Sequence, residues 1–349
     1  MINRNSASIG ETAWRRFVLT FLLVFSGGLA VLYVLIIAVD PYDTGRFPTF
    51  MPTGVSDENQ QTANASNGRN PAFNAAVFGN SHGMLLSPAR LGKLTGLAFV
   101  QMTSPGSGPR EQMLLMHWFM RHHAQIKAFV ITADQTWCTR DPAIPMLYEF
   151  PPWLYGESDL GYLAHMLNTR SLSAGYRRVL IALGYLKPSD PDGYRDYELG
   201  RTWNFRPAPP PGGTLAPILS DDPVRSLPPA DSSARSFPTL AALDPILAKL
   251  SHDTPVVVVM PPQFYTLLPR AGSPEAAEFA VCKAEIAARA KARARGGFFD
   301  YLNDTPAARN PENFMDPEHY RSNLASEIEA DIAGVINGEN PRPPHVLAN

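Results

Sequence analysis

The stretch AAVFGNSH, residues 75–82, decides the fold of this chain. It opens with four apolar residues, and the small residues Gly79, Asn80 and Ser81 then end the apolar run. A short, continuously apolar run that stops in this way is typical of a strand buried on both faces of a parallel sheet. Further runs of this kind occur at 97–102, 128–132, 256–260 and 298–302. We therefore predict five buried strands.

Helical patterns alternate with these runs. Pro109 opens one pattern, where proline suits the first turn of a helix, and an alanine-rich helix is expected over 273–295. Near the C-terminus, Leu324, Ile328 and Ile332 recur every four residues, which predicts an amphipathic helix. Buried strands that alternate with helices predict an α/β fold, with a parallel sheet covered on both faces.

The composition excludes several classes of protein. Of the 349 residues, 45% are hydrophobic and 18% are charged, which supplies a core and excludes disorder of the whole chain. The formal net charge is -2 and no long basic run occurs, so we expect no nucleic-acid partner. Cys138 and Cys282 are too few for a disulfide framework or a four-cysteine zinc site, and they can form at most one bridge.

Residues 17–39 form an uncharged apolar segment. As a helix, this segment is long enough to cross the roughly 30 Å hydrocarbon core of a bilayer. An uncleaved anchor is preferred over a cleaved signal peptide, which would have a shorter apolar stretch, and over a buried core helix. Because Arg4, Arg15 and Arg16 precede the segment and acidic residues follow it, the positive-inside rule places the N-terminus in the cytoplasm and the main domain outside.

The pattern also suggests how the chain is divided. We expect a cytoplasmic tail (1–16), a transmembrane anchor (17–39), a polar linker (40–72), an α/β domain (73–336) and a C-terminal tail (337–349). Residues 139–236 interrupt the alternation with aromatic residues and prolines. We interpret them as a large insertion after the third strand, and a separate domain is the alternative.

Ser81 follows the first predicted strand, at the end of a parallel sheet where ligands bind. A serine there can present its Oγ at a helix N-terminus, where backbone N–H groups favour developing negative charge. The alternative is that Ser81 only caps the next helix. For His82, contact with a substrate and a surface position that caps the helix are both open.

Two further loops carry candidate residues. Gly106 and Gly108 follow the second strand, where glycine lets the backbone approach a ligand and offer an N–H, although an ordinary turn is the alternative. Asp316 and His319 lie three residues apart on a turn before the last helix, so their side chains can face one another. The carboxylate could then hold Nδ1–H while Nε2 takes a proton from a serine.

Taken together, these blocks resemble the SGNH (GDSL-like) hydrolases. Gly79-Asn80-Ser81 is similar to the serine block of that family, Gly106 or Gly108 to its glycine block, and Asp316-Pro317-Glu318-His319 to its Asp-x-x-His block. The resemblance covers roughly residues 73–138 and 237–336.

The resemblance implies a three-layer α/β/α sandwich with a parallel sheet, which hydrolyses or transfers acyl groups of esters. It implies that Ser81 is the nucleophile, His319 the base and Asp316 the group that orients His319. The Ser81 N–H and an N–H of the glycine loop would hold the oxyanion, and no metal or organic cofactor is implied.

The chain departs from the family pattern at Asp134, where the resemblance leads us to expect an asparagine that donates to the oxyanion. An ionised carboxylate would repel the oxyanion. Three alternatives remain: Asp134 is protonated, Gln135 or a backbone N–H replaces it, or the site is altered.

The layout is also similar to membrane-anchored branches of the superfamily, which act in bacterial exopolysaccharide O-acetylation and teichoic-acid D-alanylation. This implies a single-pass protein of the bacterial inner membrane, whose extracytoplasmic domain is an esterase or acyltransferase. Its substrate would be an acylated glycan of the cell envelope or an exported polysaccharide. The alternative is a catalytically altered protein that binds polysaccharide or a membrane acyltransferase partner.

Overall fold

A computed structural model of the protein describes residues 4–56, 59–138, 149–199, 205–207 and 237–339. The chain divides into two compact units. The first, here called the anchor unit, comprises residues 1–56 and 157–187, and the second, the sheet unit, comprises 57–156 and 188–349.

The sheet unit is built on a five-stranded parallel sheet. Its strands are β1 (Ala75–Gly79), β2 (Phe99–Thr103), β3 (Ala128–Thr132), β4 (Val256–Met260) and β5 (Gly296–Asp300). They lie in the order β2-β1-β3-β4-β5, and every neighbouring pair is parallel. The prediction of an α/β fold with a parallel sheet is therefore confirmed.

The fifth strand begins two residues earlier than expected, at Gly296 and Gly297. Both glycines pair with β4. A Cβ on Gly296 would lie 1.7 Å from the carbonyl oxygen of Ala290, and one on Gly297 would lie 2.8 Å from a methyl group of Val335. Glycine, which usually weakens a strand, is needed here because neighbouring helices approach the backbone closely.

The helices of the sheet unit precede, connect or follow its strands. They are α2 (Gln60–Arg69), α3 (Pro88–Thr95), α4 (Pro109–His122), α5 (Pro152–Tyr155), α8 (Pro238–Lys249), α9 (Pro274–Lys291), α10 (Pro306–Arg309) and α11 (Ser322–Asn337). Six of these begin with proline, whose missing N–H costs nothing in the first turn.

The core lies against the sheet. Val77 of β1 shares one buried cluster with Leu91 of α3 and Ile328 of α11. Its neighbour Phe78 instead meets the ring of Phe119 on α4, with ring centroids 5.8 Å apart. Because all five residues of β1 are buried, the C-terminal end of β1 is held in place by the packing around it.

Part of the stretch expected to be a polar linker, 40–72, instead packs as helix α2. Asn64 donates from Nδ2 to the carbonyl of Thr103 at the end of β2, at 2.8 Å. Trp118 of α4 donates to the carbonyl of Ala65, at 3.0 Å. The linker assignment was therefore wrong for α2, because its polar side chains are buried in hydrogen bonds that composition alone does not reveal.

Cys138 and Cys282 form a disulfide, which answers a question that the sequence left open. The bridge joins a short 3₁₀ helix after β3 (Gln135–Cys138) to α9 and closes a long stretch of chain between them. The expected insertion, 139–236, contributes α5 to the sheet unit. Most of its proline-rich part, and most of the C-terminal tail, lie outside the described residues.

The anchor unit contains α1 (Arg4–Val39), α6 (Asp159–His165) and α7 (Thr169–Ala182). The expected cytoplasmic tail is helical from Arg4 onward, so it continues into the apolar part of α1. Over 12–39 this helix is long and apolar enough to cross a membrane, and an 18-residue stretch within it has a mean hydropathy of 2.7.

The chain after α1 is folded rather than extended. Asp40 and Asp43 adopt positive φ angles of 46° and 50°, which aspartate tolerates when its side chain bonds to nearby backbone. Asp40 accepts from the Thr44 N–H at 3.0 Å, and buried Asp43 lies 3.4 Å from the guanidinium of buried Arg178 on α7. Residues 40–44 therefore belong to the anchor unit, again contrary to the expected linker.

Candidate functional site

Ser81 lies where the sequence placed it, directly after β1, as the first residue of a 3₁₀ helix (Ser81–Gly83). The turn before it depends on glycine, because Gly79 has a φ of 154° and a Cβ there would lie 1.8 Å from Thr132 Oγ1. Asn80 caps the helix by accepting from the N–H of His82 at 3.1 Å. Ser81 is thus held at the N-terminus of a short helix by its neighbours, with its own side chain half-buried.

Asp316 and His319 face one another on the turn before α11. Nδ1 of His319 lies 2.9 Å from each carboxylate oxygen of Asp316. Asp316 Oδ1 also accepts the backbone N–H groups of Glu318 and His319, which fixes the turn. Because an ionised carboxylate only accepts, the proton of this pair lies on Nδ1, and Nε2 of His319 is left with a lone pair.

The same contacts set the charge of Asp316. Burial raises its pKa, but the hydrogen bonds and electrostatic attraction of His319 outweigh this and leave the pKa below its ordinary value. Asp316 is therefore ionised near neutral pH and can stabilise a positive charge on His319.

Asp134 does not match the protonated acid that the sequence allowed. Burial raises its pKa, but the hydrogen bond and electrostatic attraction of His82, with further bonds from Thr136 and Asn80, lower the pKa to about 2. Asn80 Nδ2 and His82 Nδ1 lie 2.5 and 3.1 Å from Oδ2, while Thr136 donates to Oδ1. Asp134 is therefore an ionised acceptor, which does not fit the first of the three alternatives, a protonated acid that donates to an oxyanion.

A chain of hydrogen bonds extends from Asp134 through residues that follow β1, β3 and β4. Gln135 donates from Nε2 to Gln263 Oε1 at 2.7 Å, and Gln263 Nε2 lies 3.1 Å from Nε2 of His82. These contacts match a His82 ring whose proton is on Nδ1, facing Asp134. One amide N–H of Gln135, a candidate oxyanion donor, is therefore already bonded to Gln263.

His82 is a buried member of this network, contrary to the surface position that the sequence allowed. The residue is only 8% exposed, and its ring centroid lies 5.7 Å from that of His319. Two acid–histidine pairs, His82 with Asp134 and His319 with Asp316, therefore lie side by side. The sequence signals for the first pair were a histidine directly after Ser81 and an aspartate after a predicted strand. Both features are too common to predict that the two side chains form a pair.

The turn that carries His319 is tied to the loop after β4. Phe264 donates its backbone N–H to the carbonyl of Pro317 at 2.9 Å. The rings of His82 and His319 are neighbours, and Ser81 directly precedes His82 in the chain. The serine block and the Asp-x-x-His block therefore lie at the same end of the sheet. The pairing of Ser81 with His319 itself remains a prediction.

The glycine loop lies after β2, as predicted. Gly106 has a φ of 65°, a conformation that favours glycine, and Gly108 caps α4. Gln112 binds the loop to the rest of the site, because its amide donates to the Ser107 carbonyl and accepts from Trp137. The Ser107 hydroxyl is buried and, within the described residues, has no hydrogen-bond partner, so a ligand oxygen could satisfy it.

Three side chains at this site could hold a metal ion. His82, Glu318 and His319 each offer a ligand atom, and these atoms lie within 4.8 Å of one another. Each histidine also binds a carboxylate through Nδ1, an arrangement that orients many metal ligands. A metal would have to displace Gln263 from Nε2 of His82, which counts against this use of the cluster.

Comparison of the chain with models of protein families finds no match, and comparisons with curated proteins and with solved structures also find none. The description of the site therefore rests on the residues of this chain.

Proposed function

We propose that this protein is an acyl esterase or acyltransferase of the SGNH-like type, with Ser81, His319 and Asp316 as its catalytic residues. The observation that carries the proposal is the contact of His319 Nδ1 with both oxygens of Asp316, at the sheet end where Ser81 begins a helix. This arrangement leaves a basic nitrogen, Nε2, on a histidine whose orientation is fixed.

In the proposed reaction, the Ser81 hydroxyl proton moves to Nε2 of His319 while Oγ attacks the carbonyl carbon of an ester. The tetrahedral intermediate collapses when His319 returns the proton to the leaving oxygen, so that an acyl-serine and an alcohol result. Water or a sugar hydroxyl then gives its proton to His319 and attacks the acyl-serine. This second intermediate collapses by breaking the bond to Ser81 Oγ, which takes the proton back from His319, and a free acid or a new ester leaves. The ionised carboxylate of Asp316 stabilises the positive charge that His319 carries during both halves.

Backbone N–H groups supply the oxyanion donors in this proposal. Ser81 opens a helix, where N–H groups face the developing charge, and the loop of Gly106 and Gly108 follows the neighbouring strand. The buried hydroxyl of Ser107 adds a donor in the same loop. Asp134 is not a donor in this scheme, because its carboxylate already accepts from His82, Asn80 and Thr136.

We also propose the SGNH-like three-layer arrangement for the sheet unit. Successive side chains of a strand point to opposite faces of a sheet. The packing of Val77 with α3 and α11, and of Phe78 with α4, supports helices on both faces of β1.

The proposed location is the bacterial inner membrane, with the N-terminus in the cytoplasm and the sheet unit outside. The apolar helix α1 and the arginines before its apolar segment support this topology. The Cys138–Cys282 disulfide supports it independently, because disulfides persist mainly outside the cytoplasm. The proposed substrate, an acylated cell-envelope or exported polysaccharide, rests on the family resemblance alone.

A fluorophosphonate probe, which reacts with activated serines, tests the proposal on the purified full chain. Labelling should be lost in Ser81→Ala and fall by about 10³-fold or more in His319→Ala, because the serine would lose its base. Ser326→Ala is the matched control, since Ser326 is exposed on α11 and should keep wild-type labelling. Labelling that persists in a folded Ser81→Ala variant would refute the assignment.

A second candidate function is binding of polysaccharide without catalysis. Asp134 favours it, because an ionised carboxylate lies where the resembled family carries an oxyanion donor. Absence of labelling in the folded wild-type chain, together with binding of an acylated glycan, would favour this second function.

A further inference from the structure

Helices α6 and α7 lie beside the C-terminal end of α1, within the anchor unit. The Tyr33 hydroxyl of α1 donates to the carbonyl of Leu163 on α6 at 2.6 Å. Gly175 of α7 lies against the end of α1, since a Cβ there would be 3.7 Å from a methyl group of Val39. Tyr33 is six residues before Val39, or about 9 Å along a helix. The α6–α7 pair therefore flanks the last turns of α1.

Two residues show that this level of α1 is still apolar and uncovered within the described part of the chain. Val34 and Leu35, directly after Tyr33, are 63% and 55% exposed. If α1 crosses a bilayer, lipid covers Val34 and Leu35. Leu163 of α6 contacts α1 at Tyr33, at the same level of the helix, so α6 would also lie next to lipid.

One face of α7 packs inside the anchor unit and another is exposed and apolar. The packed face includes Ser171, Gly175 and Arg178. Leu172, Tyr176 and Leu183 are spaced at intervals of four and seven residues, so they form a second stripe along the helix. The large exposed apolar residues of this region are Leu160, Leu167, Leu172, Tyr176, Leu183, Tyr185 and Leu186. Several large exposed apolar side chains in one short region are typical of a surface that contacts a membrane or a protein.

The flanking residues fit a lipid surface. Tyr176 and Tyr185 are amphipathic aromatic residues, which concentrate at membrane–water interfaces. Arg170 near the start of α7 and Lys187 after its end are exposed basic residues, which can contact anionic headgroups.

We propose that the α6–α7 pair is a second membrane element, which lies in the lipid–water interface of the bilayer that α1 crosses. Its occupant is lipid: the stripe of Leu172, Tyr176 and Leu183 enters the boundary between headgroups and acyl chains. The inference rests on the proposed anchor and is independent of the proposed catalysis. The position of the α6–α7 pair beside the exposed, apolar end of α1 favours lipid over a protein partner, because the lipid that would cover Val34 and Leu35 lies next to the pair.

Single cysteines carrying an environment-sensitive fluorophore test this in the full chain. Both native cysteines are in the Cys138–Cys282 disulfide, so an introduced cysteine can be labelled selectively. The test variants are Tyr176→Cys and Leu183→Cys, reconstituted in vesicles of phosphatidylcholine with phosphatidylglycerol. Ser173→Cys is the matched control, because Ser173 is exposed on the same helix but about 100° from Leu172. Leu29→Cys reports the apolar part of α1.

Spin-labelled lipids should quench the label at 176 and 183 at least about twofold more than at 173, and iodide in the water should show the reverse order. Equal access of iodide to all three positions would overturn the inference. Protection of 176 and 183 from both quenchers would assign the face to a protein partner and overturn it as well. Failure of lipid to quench Leu29→Cys would instead refute the anchor itself, whereas loss of serine labelling bears only on the proposed catalysis.

Discussion

Replacement of Asp134 by alanine should be one of the most destabilising single changes at the sheet end. The carboxylate accepts from Asn80 Nδ2, His82 Nδ1 and both the N–H and the hydroxyl of Thr136. Asp134→Ala removes the acceptor from all four donors and leaves a hole among them. Asn80 and His82 are both less than 9% exposed, so water cannot easily replace the lost partner.

The magnitude follows from these contacts. A buried donor without a partner costs about 1–3 kcal/mol, and Asp134→Ala creates two such donors on buried side chains. Breaking a buried acid–base pair from one side costs about 3–5 kcal/mol in other proteins. Thr136 is half-buried, so water can hydrate its groups in part. We therefore expect Asp134→Ala to lower the free energy of unfolding by about 3–5 kcal/mol, against about 1 kcal/mol for the loss of a simple helix cap.

Asp134→Asn tests the direction of the hydrogen bonds. The new NH₂ group must face either the donors of Asn80 and His82 or those of Thr136. In both orientations, the NH₂ group therefore meets other hydrogen-bond donors and no acceptor. The mismatch is relieved at His82 only if its proton moves to Nε2, which requires the amides of Gln263 and Gln135 to turn as well. We expect a cost of about 1–3 kcal/mol, smaller than that of alanine.

Urea unfolding of the full chain in detergent, followed by tryptophan fluorescence, measures these differences. Asp304→Ala is the matched control, because Asp304 pairs with Arg309 on the surface, where such pairs contribute about 1 kcal/mol or less. If the free energy of unfolding of Asp134→Ala lies within about 1 kcal/mol of that of the wild type, Asp134 is not the acceptor of a buried network and only caps a turn.

Three further predictions follow. Because the pKa of Asp134 is lowered from 3.8 to about 2, its stabilisation is complete above pH 4 and is lost as the pH falls towards 2; the wild type should lose about 2 kcal/mol more than Asp134→Asn between pH 6 and pH 2 in urea titrations, and equal losses would refute this. Replacement of Cys138 and Cys282 by serine should lower the free energy of unfolding by about 2–5 kcal/mol, because the bridge closes a long loop; an unchanged unfolding midpoint would contradict it. Removal of metal ions with a chelator should leave serine labelling unchanged, and loss of labelling would assign His82, Glu318 and His319 to a metal centre instead.

The sheet could be predicted from the sequence because its strands overlap with short apolar runs, a pattern that is typical of strands buried in a parallel sheet. The run at 128–132 and the one at 256–260 match β3 and β4 residue for residue. Helix α2 could not be predicted in the same way, because its sequence, QQTANASNGR, is mostly polar and has no apolar residue larger than alanine. Its burial depends on partners such as Thr103 and Trp118, which are distant in the sequence.

The candidate site shows the same division. The contact of Asp316 with His319 could be predicted because it is local, three residues apart on one turn. The network around Asp134 could not, because it joins residues that follow β1, β3 and β4 and depends on the order of strands in the sheet. The sequence showed an acid where an amide was expected, but only the neighbours of Asp134 determine its charge.

In the proposed reaction either of the two histidines at the site could act as the base, and their hydrogen-bond partners favour His319. Both ring nitrogens of His82 are engaged, Nδ1 by Asp134 and Nε2 by Gln263, so a proton transfer through His82 would require the amides of Gln263 and Gln135 to turn. His319 is bound through Nδ1 alone within the described residues, and its side chain is 27% exposed. A base needs a free lone pair at a place that substrate can reach, and His319 meets both conditions. In this proposal His82 and Asp134 hold the loop of Ser81 in place, so Asp134→Ala should lower the stability more directly than it lowers the activity.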